Sequence, residues 1–288
     1  MITERTVSGE LESIKIPPRP AVLLNIQQAM RAPEPDFLAI EEIISMDVAI
    51  SASLVKIANN PTLGLSHPVR SIKDALHLLG LDTVKLVVTA IALRQSFSKT
   101  RNLERFWDSS ARIAHISGWL AGHLPRVGSC IKPDEAFTFG LFRDCGIPIL
   151  MSMYADYLEI LGRANQETSR PFTAVEMDEL DLDHTMIGGM LVREWELPAE
   201  FCLAVESHHQ LEALLGQSVP GVPDSTRYLM ALAQLAEHIF QTLTGLNRTC
   251  EWAKLGAACL DTLGIDEATV ATLAEQARAA EVHTHPAI

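Results

Sequence analysis

Positive charge is scarce in this sequence: 23 lysines and arginines stand against 36 acids, for a formal net charge of −13 at neutral pH. Such a chain repels phosphate backbones and anionic headgroups. No basic run and no interleaving of basic with aromatic residues offsets that repulsion, so neither nucleic acid nor a membrane surface is an expected partner. Cysteine is sparse as well. Cys130, Cys145, Cys202, Cys250 and Cys259 are an odd number, widely spaced and never in a C-x-x-C pair, which excludes a disulfide framework or a zinc knuckle and suits a reducing compartment. Long apolar runs are missing too. The densest, Val84 to Leu93, is interrupted by Lys85 and is too short to cross a bilayer, and Met1 to Glu12 carries acids without the apolar core of a signal peptide. A soluble, cytoplasmic protein is expected. There is no P-loop, no dinucleotide-binding glycine fingerprint, no serine-centred elbow and no internal repeat.

What is present reads as helix. With 288 residues the chain has ample material for a core, in one large domain or two smaller ones. The prolines of Ile14-Lys15-Ile16-Pro17-Pro18-Arg19-Pro20 enforce an extended start. Helical spacing then predicts elements over Ala21 to Met30, Phe37 to Ser45 capped by Asp36, and a third capped by Asp47 with Ile50, Leu54, Ile57 and Ala58 on one side. Ser71 caps a helix that Gly80 closes. Thr83 to Phe97 has the β-branched content of a strand, but its length, its Asp82 cap and its lack of turn signals favour helix. Further helices are expected from Asn102 to Leu124, from Pro133 onward, from Asp183 to Trp195 and from Leu197 to about His209. The polar stretch Gly162 to Pro171 reads as a loop and Glu176 to Leu182 as irregular or a short turn. Gly216 to Asp224 is the clearest linker. Helices over Ser225 to Thr244, Thr249 to Leu263 and Asp266 to about Ala280 follow it, and Glu281 to Ile288 reads as a frayed tail. The fold class is all-α.

Chemistry points first to Gly140-Leu141-Phe142-Arg143-Asp144-Cys145-Gly146. A charged Arg-Asp pair inside the apolar segment Ala136 to Met153 is costly to bury without partners. Histidines that could join it are His115, His184, His208 and His209. On a regular helix the adjacent His208 and His209 point about 100° apart, so one of them at most is expected to face a shared pocket. For each histidine the plainer alternative is a buried ring bonded to a carbonyl or carboxylate. Cys145 reads as a small core residue, Asp183 as a cap, and Gly188-Gly189 as a place of close helix packing.

Taken in order, two blocks of residues resemble an HDOD domain, a signalling-output relative of the HD phosphohydrolases. The first is Ile16-Pro17-Pro18-x-Pro20, Ile44-Ser45-x-Asp47-x-Ala49, Leu54-x-Lys56-x-Ala58-Asn59, Gly64 and Ser71-Ile72-x-x-Ala75-x-x-x-Leu79-Gly80. The second is His115, Gly140 to Gly146, Asp183-His184, Trp195-x-Leu197-Pro198 and His208-His209. The resemblance implies an HD-like fold of two packed helical lobes, residues 14–100 and 101–210, with 216–224 as linker and 225–280 as an accessory helical extension.

In catalytic HD enzymes histidines and aspartates from several helices hold a metal. By resemblance His115 corresponds to the first ligand and Asp144 to the aspartate of the His-Asp pair. Arg143 replaces that pair's histidine, and a guanidinium has no lone pair for a metal. Gln234 stands where a later aspartate is expected, Ile147 where the HD-GYP phosphodiesterases have lysine, and their Gly-Tyr-Pro signature is absent. The resemblance therefore implies a non-catalytic regulatory module without a cofactor, acting through contacts with signalling proteins of two-component or cyclic-dinucleotide pathways. Arg143 is expected to pair with Asp144, Glu206 or another acid. Two alternatives stay open: a metal-dependent phosphohydrolase or phosphodiesterase, with a weakly held divalent metal among His115, Asp144, His184 and His208, and a sensor of a small phosphorylated ligand near Arg143.

Overall fold

The computed structural model describes residues 14–31, 34–59, 67–98, 100, 103–217 and 221–284. Among these residues every regular element is helical. The chain divides into two compact units, Arg19–Arg101 with Glu275–Ile288 and Met1–Pro18 with Asn102–Ala274.

The first unit begins with α1 (Ala21–Met30), α2 (Phe37–Ser45), α3 (Val48–Ala58) and α4 (Ile72–Ser96). Three of the caps expected from sequence form, whereas Asp82, expected to cap Thr83 to Phe97, lies within α4. Asp36 accepts from the backbone N–H groups of Leu38 and Ala39, Asp47 from those of Ala49 and Ile50, and Ser71 from that of Asp74. Asn59 closes α3 and ties it to the chain beyond, giving its amide to Val69 O and accepting from Val69 N, each at 2.7 Å. The core is aliphatic and includes Ile26, Ile40, Ile44, Ile50, Leu54, Leu76, Val84 and Val88. Within α4, Gly80 adopts φ 76° and ψ 160°, so the two expected helices abut at a glycine kink instead of being separated by a turn. By length and hydropathy this 25-residue element matches a membrane span, with a mean hydropathy of 1.7 and 44% of its most apolar window buried. The kink and the burial of Val84, Val88 and Leu93 account for its apolar content as core packing. Of the loop expected over Thr62 to Arg70, the part up to residue 66 lies outside the described residues.

The second unit holds α5 (Glu104–His123), α6 (Pro125–Gly128), α7 (Pro133–Phe142), α8 (Gly146–Met153), α9 (Tyr157–Gln166), α10 (Phe172–Leu180), α11 (His184–Glu194), α12 (Ala199–Ser207), α13 (Leu211–Leu215), α14 (Asp224–Thr244) and α15 (Glu251–Leu263). A last helix, α16 (Glu267–Thr284), follows Asp266, whose carboxylate accepts from Thr269 N at 2.8 Å. The extended start belongs to this unit: Trp195 Nε1 donates to Pro17 O at 2.9 Å. So do α14 and α15, which are set apart as an accessory extension only at the level of sequence.

Two expectations are corrected. The stretch Gly162 to Pro171 is not all loop, because α9 runs to Gln166 with Tyr157, Ile160 and Ala164 buried on one face; its polar outer face hid that stripe. Nor is 176–182 irregular, since α10 reaches Leu180 and Asp181 ends it in the left-handed region at φ 55°. The apolar pattern there is broken by Glu176, an acid that is fully buried.

The start of α8 lies directly on α11. A Cβ added to Gly146 would fall 2.0 Å from His184 O and 2.8 Å from Gly188 N, so only glycine permits this backbone approach. It brings the residue after the Asp144-Cys145 pair into register with His184. Gly146→Ala is expected to cost about 2–3 kcal/mol by overpacking. Gly162→Ala, where a Cβ meets nothing within 4 Å on a helix, is expected to stabilise by about 0.5–1 kcal/mol. Urea unfolding of both variants gives the comparison.

Candidate functional site

The long apolar segment from Ala136 breaks at Arg143, Asp144 and Cys145, between α7 and α8. That break turns the Arg-Asp pair inward. Arg143 is 4% exposed, with Nε 3.2 Å from Asp144 Oδ2 and an Nη 3.2 Å from Glu237 Oε1. Asp144 is the expected partner, but Glu206 is not the second one. Glu206 pairs with Arg193, and Glu237, delivered by α14, takes its place. Burial works against every charge in this group. For Asp144 the opposing charges of Arg143, His208 and His184 prevail and hold its carboxyl far below the usual range. Burial likewise disfavours the Arg143 cation, and Asp144 and Glu237 more than restore it. Glu237 is pushed up by burial and by nearby Asp144, against the pull of Arg143.

The other oxygen of Asp144 faces imidazoles. His208 Nε2 lies 3.3 Å and His184 Nε2 3.7 Å from Asp144 Oδ1. With His209, these groups offer four ligand atoms within 4.8 Å of one another. Each ring is held from behind by its Nδ1: that of His184 at 2.7 Å by Glu176 Oε2, that of His208 at 2.8 Å by Val205 O, and that of His209 at 2.6 Å by Glu251 Oε2. The two glutamates are secured in turn, Glu176 by the hydroxyl of Tyr157 and Glu251 by Lys254. Phe172 stacks on His209, with centroids 4.8 Å apart, and meets His184 edge-on.

The rings differ in charge. Burial disfavours protonation of His184, but Glu176, Asp144 and Asp183 outweigh it and raise the imidazole to about 9. Burial and the positive charges of His208, His184 and Arg143 push His209 well below its usual value, so it is neutral. Burial also drives the Cys145 thiol far above its ordinary range, which makes it inert as a nucleophile.

The expected residues divide accordingly. Asp144, His184, His208 and His209 come together, and Arg143 flanks them. His208 and His209, just after α12, both reach the cluster, against the expectation that one of them at most would face it. His115 is half-buried on α5, edge-on to Phe137 at 5.1 Å, and is not one of the four clustered ligands. Gln234 is buried and gives its amide to Glu237 Oε2 at 3.4 Å; it supports an ion pair and offers no ligand. Glu176, Glu237 and Glu251 were not anticipated. Glu237 carries the same signal that marks Arg143, a charge within the apolar run Leu229 to Phe240.

These residues fit a divalent cation. The Nε2 atoms of His184 and His208 are buried without a hydrogen-bond partner, three imidazoles and one carboxylate oxygen form a suitable donor set, and the carboxylates and carbonyl behind the rings orient them as metal-binding imidazoles are oriented.

A helical scaffold that gathers imidazoles around the aspartate of a short helix break defines an HD-like class of domain. The HDOD domain family matches residues 16–211, and the chain belongs to that family. An HDOD domain protein with unknown function from Geobacter sulfurreducens has the same fold, with a TM-score of 0.72 at 20% identity over 98% of this chain and 96% of that one. An uncharacterized protein of Treponema pallidum (strain Nichols) is 24% identical over 231 residues, 80% of this chain and 43% of its own length. The cyclic di-GMP phosphodiesterase CdgJ of Vibrio cholerae is 23% identical over 128 residues, 44% of this chain and 28% of its own. The chain thus spans less than half the length of these curated relatives. The family match ends before α14 and α15, which supply Glu237 and Glu251.

Two outcomes follow from this geometry. Arg143→Ala leaves buried Glu237 and half-buried Asp144 without the guanidinium they share and is expected to cost about 3–5 kcal/mol, measured by denaturant unfolding. His184 holds its proton more tightly folded than unfolded, so its contribution to stability is complete below about pH 6.5 and is lost as pH rises through about 9. An NMR titration of the ring should place its midpoint near 9, and Glu176→Gln should lower it.

Proposed function

We propose that this chain is a signalling module that does not hydrolyse its ligand and acts through contacts with other signalling proteins. The observation that carries this reading is Arg143, a permanent cation held by Asp144 and Glu237 beside the four clustered ligands. It occupies one oxygen of Asp144 and pairs with Glu237, so Glu237 is not free to serve as a ligand or a base. Kinship with the HDOD family and the distant likeness to a cyclic di-GMP phosphodiesterase support a signalling role. Leu38 in the first turn of α2, and Met46 and Val48 at the junction of α2 with α3, are 63%, 74% and 82% exposed, apolar surface suited to a protein partner.

A second reading, a metal-dependent phosphohydrolase, is favoured by the Nε2 atoms of His184 and His208, which are buried without a hydrogen bond and face Asp144 Oδ1 at 3.7 and 3.3 Å. In it Asp144, His184, His208 and His209 hold one divalent cation, which when bound supplies a Lewis acid for a phosphoryl oxygen or an acidified water. The chain's own part is to orient the rings through Glu176, Val205 and Glu251 and to give up the proton on His184.

The two readings part on turnover. With manganese or magnesium present, the purified protein is expected to leave bis(p-nitrophenyl) phosphate and cyclic dinucleotides intact over hours. Turnover that Asp144→Ala abolishes would establish the enzyme instead. Cation uptake, followed by metal analysis after dialysis, should strengthen from pH 7 toward 9 as the His184 proton is displaced and weaken in His208→Ala.

A further inference from the structure

Beside the cluster, within the unit of α5 to α15, lies an open cleft of about 530 Å³, within the range of small-molecule sites. Asp144, Glu237 and Glu251 line it, and each already has a cation or imidazole: Arg143 for the first two, His209 and Lys254 for the third. Two more cations line the same cleft. Arg105 in the first turn of α5 and Arg248 in the loop after α14 are both exposed, and neither makes an ion pair among the described residues. On a chain with a net charge of −13, the cleft lining thus sets three arginines against three acids, and two of those arginines are left for an anion.

The wall that carries Arg248 is built. Asn247, at φ 47°, donates to Ser109 Oγ on α5 at 2.6 Å, and its carbonyl accepts from Gln241 Nε2 on α14 at 2.9 Å. Cys250 N, just beyond, donates to Asn165 O on α9 at 3.1 Å. Three helices thus hold the backbone on both sides of Arg248. His184 also lines the cleft, fully buried, its Nε2 without a hydrogen bond and 3.7 Å from Asp144 Oδ1, and Phe106, Leu158 and Leu161 provide apolar surface alongside.

We propose that this cleft binds a small phosphorylated molecule with an aromatic or apolar body, its phosphate gripped by Arg105 and Arg248 and its body laid against Phe106, Leu158 and Leu161. Guanidinium forks match the oxygens of phosphates and carboxylates. Two of them together suit the dianionic head of a phosphomonoester better than the single charge of a carboxylate. The proposal deepens the reading of a non-hydrolytic module by naming the class of ligand such a module senses.

Phenylphosphonate is a fitting probe, because it presents a dianionic head on an aromatic ring through a P–C bond that ester hydrolysis does not cut. Calorimetric titration of the full chain at low salt is expected to show saturable binding of one molecule per chain. Arg105→Ala and Arg248→Ala, both exposed positions, should each weaken it roughly tenfold or more. Arg163→Ala, which removes an exposed arginine paired with Glu179 and does not line the cleft, should leave it unchanged. No binding at millimolar probe, undiminished binding by both cleft variants relative to the wild-type chain, or benzoate binding as tightly as phenylphosphonate would each overturn the proposal. Its failure is distinguishable from that of the non-hydrolytic reading. Turnover of phosphate esters would end that reading and leave phosphonate binding intact, whereas a chain that turns nothing over and ignores phenylphosphonate would lose only this site.

Discussion

A guanidinium almost wholly removed from water survives only where fixed negative charge meets it, and much of the second unit follows from satisfying that demand for Arg143. The break between α7 and α8 presents Arg143 and Asp144 together. Gly146 then lets α8 press onto α11, so that Asp144 turns its second oxygen toward His184. From the other side α14 brings Glu237, itself braced by Gln234. Losing any one of these leaves a buried charge without its counterpart, which is far costlier than the pair itself is stabilising.

Around that core lies a second layer of charge. Glu176 and Glu251 sit behind the rings of His184 and His209, and Tyr157 and Lys254 sit behind the glutamates. The chain of contacts fixes which nitrogen of each ring faces the cluster and lets neighbouring imidazoles differ in charge: His184 keeps its proton and His209 does not. Such alternation limits the repulsion among three rings and an arginine packed within a few ångströms.

A good deal of this was legible in the sequence. The capping aspartates Asp36, Asp47 and Asp183 and the cap Ser71 act through residues two or three positions away, and local spacing reveals them. Arg143 and Asp144 stood out because a charge in an apolar run is conspicuous, and His184, His208 and His209 could be named as companions. Reasoning from local geometry went astray where its premise lapsed. His209 joins the cluster together with its neighbour His208, whereas His115, grouped with the ligands by resemblance, packs against Phe137 outside the four. Glu176 broke the pattern of α10 because an acid facing inward looks, in sequence, like an acid facing water.

From the sequence alone came the all-α class, the order of the helices, the family and the singular character of the Arg-Asp pair, all matters of composition, capping and period along the chain. Only the tertiary structure decided which acid answers Arg143, which four side chains share one centre, and that Arg105 and Arg248 line one cleft beside it. Asp144 and His184 lie 40 positions apart in the chain, Arg143 and Glu237 94, and Arg105 and Arg248 143. Burial and charge pairing depend on where helices pack in space, and no periodicity within a helix records that.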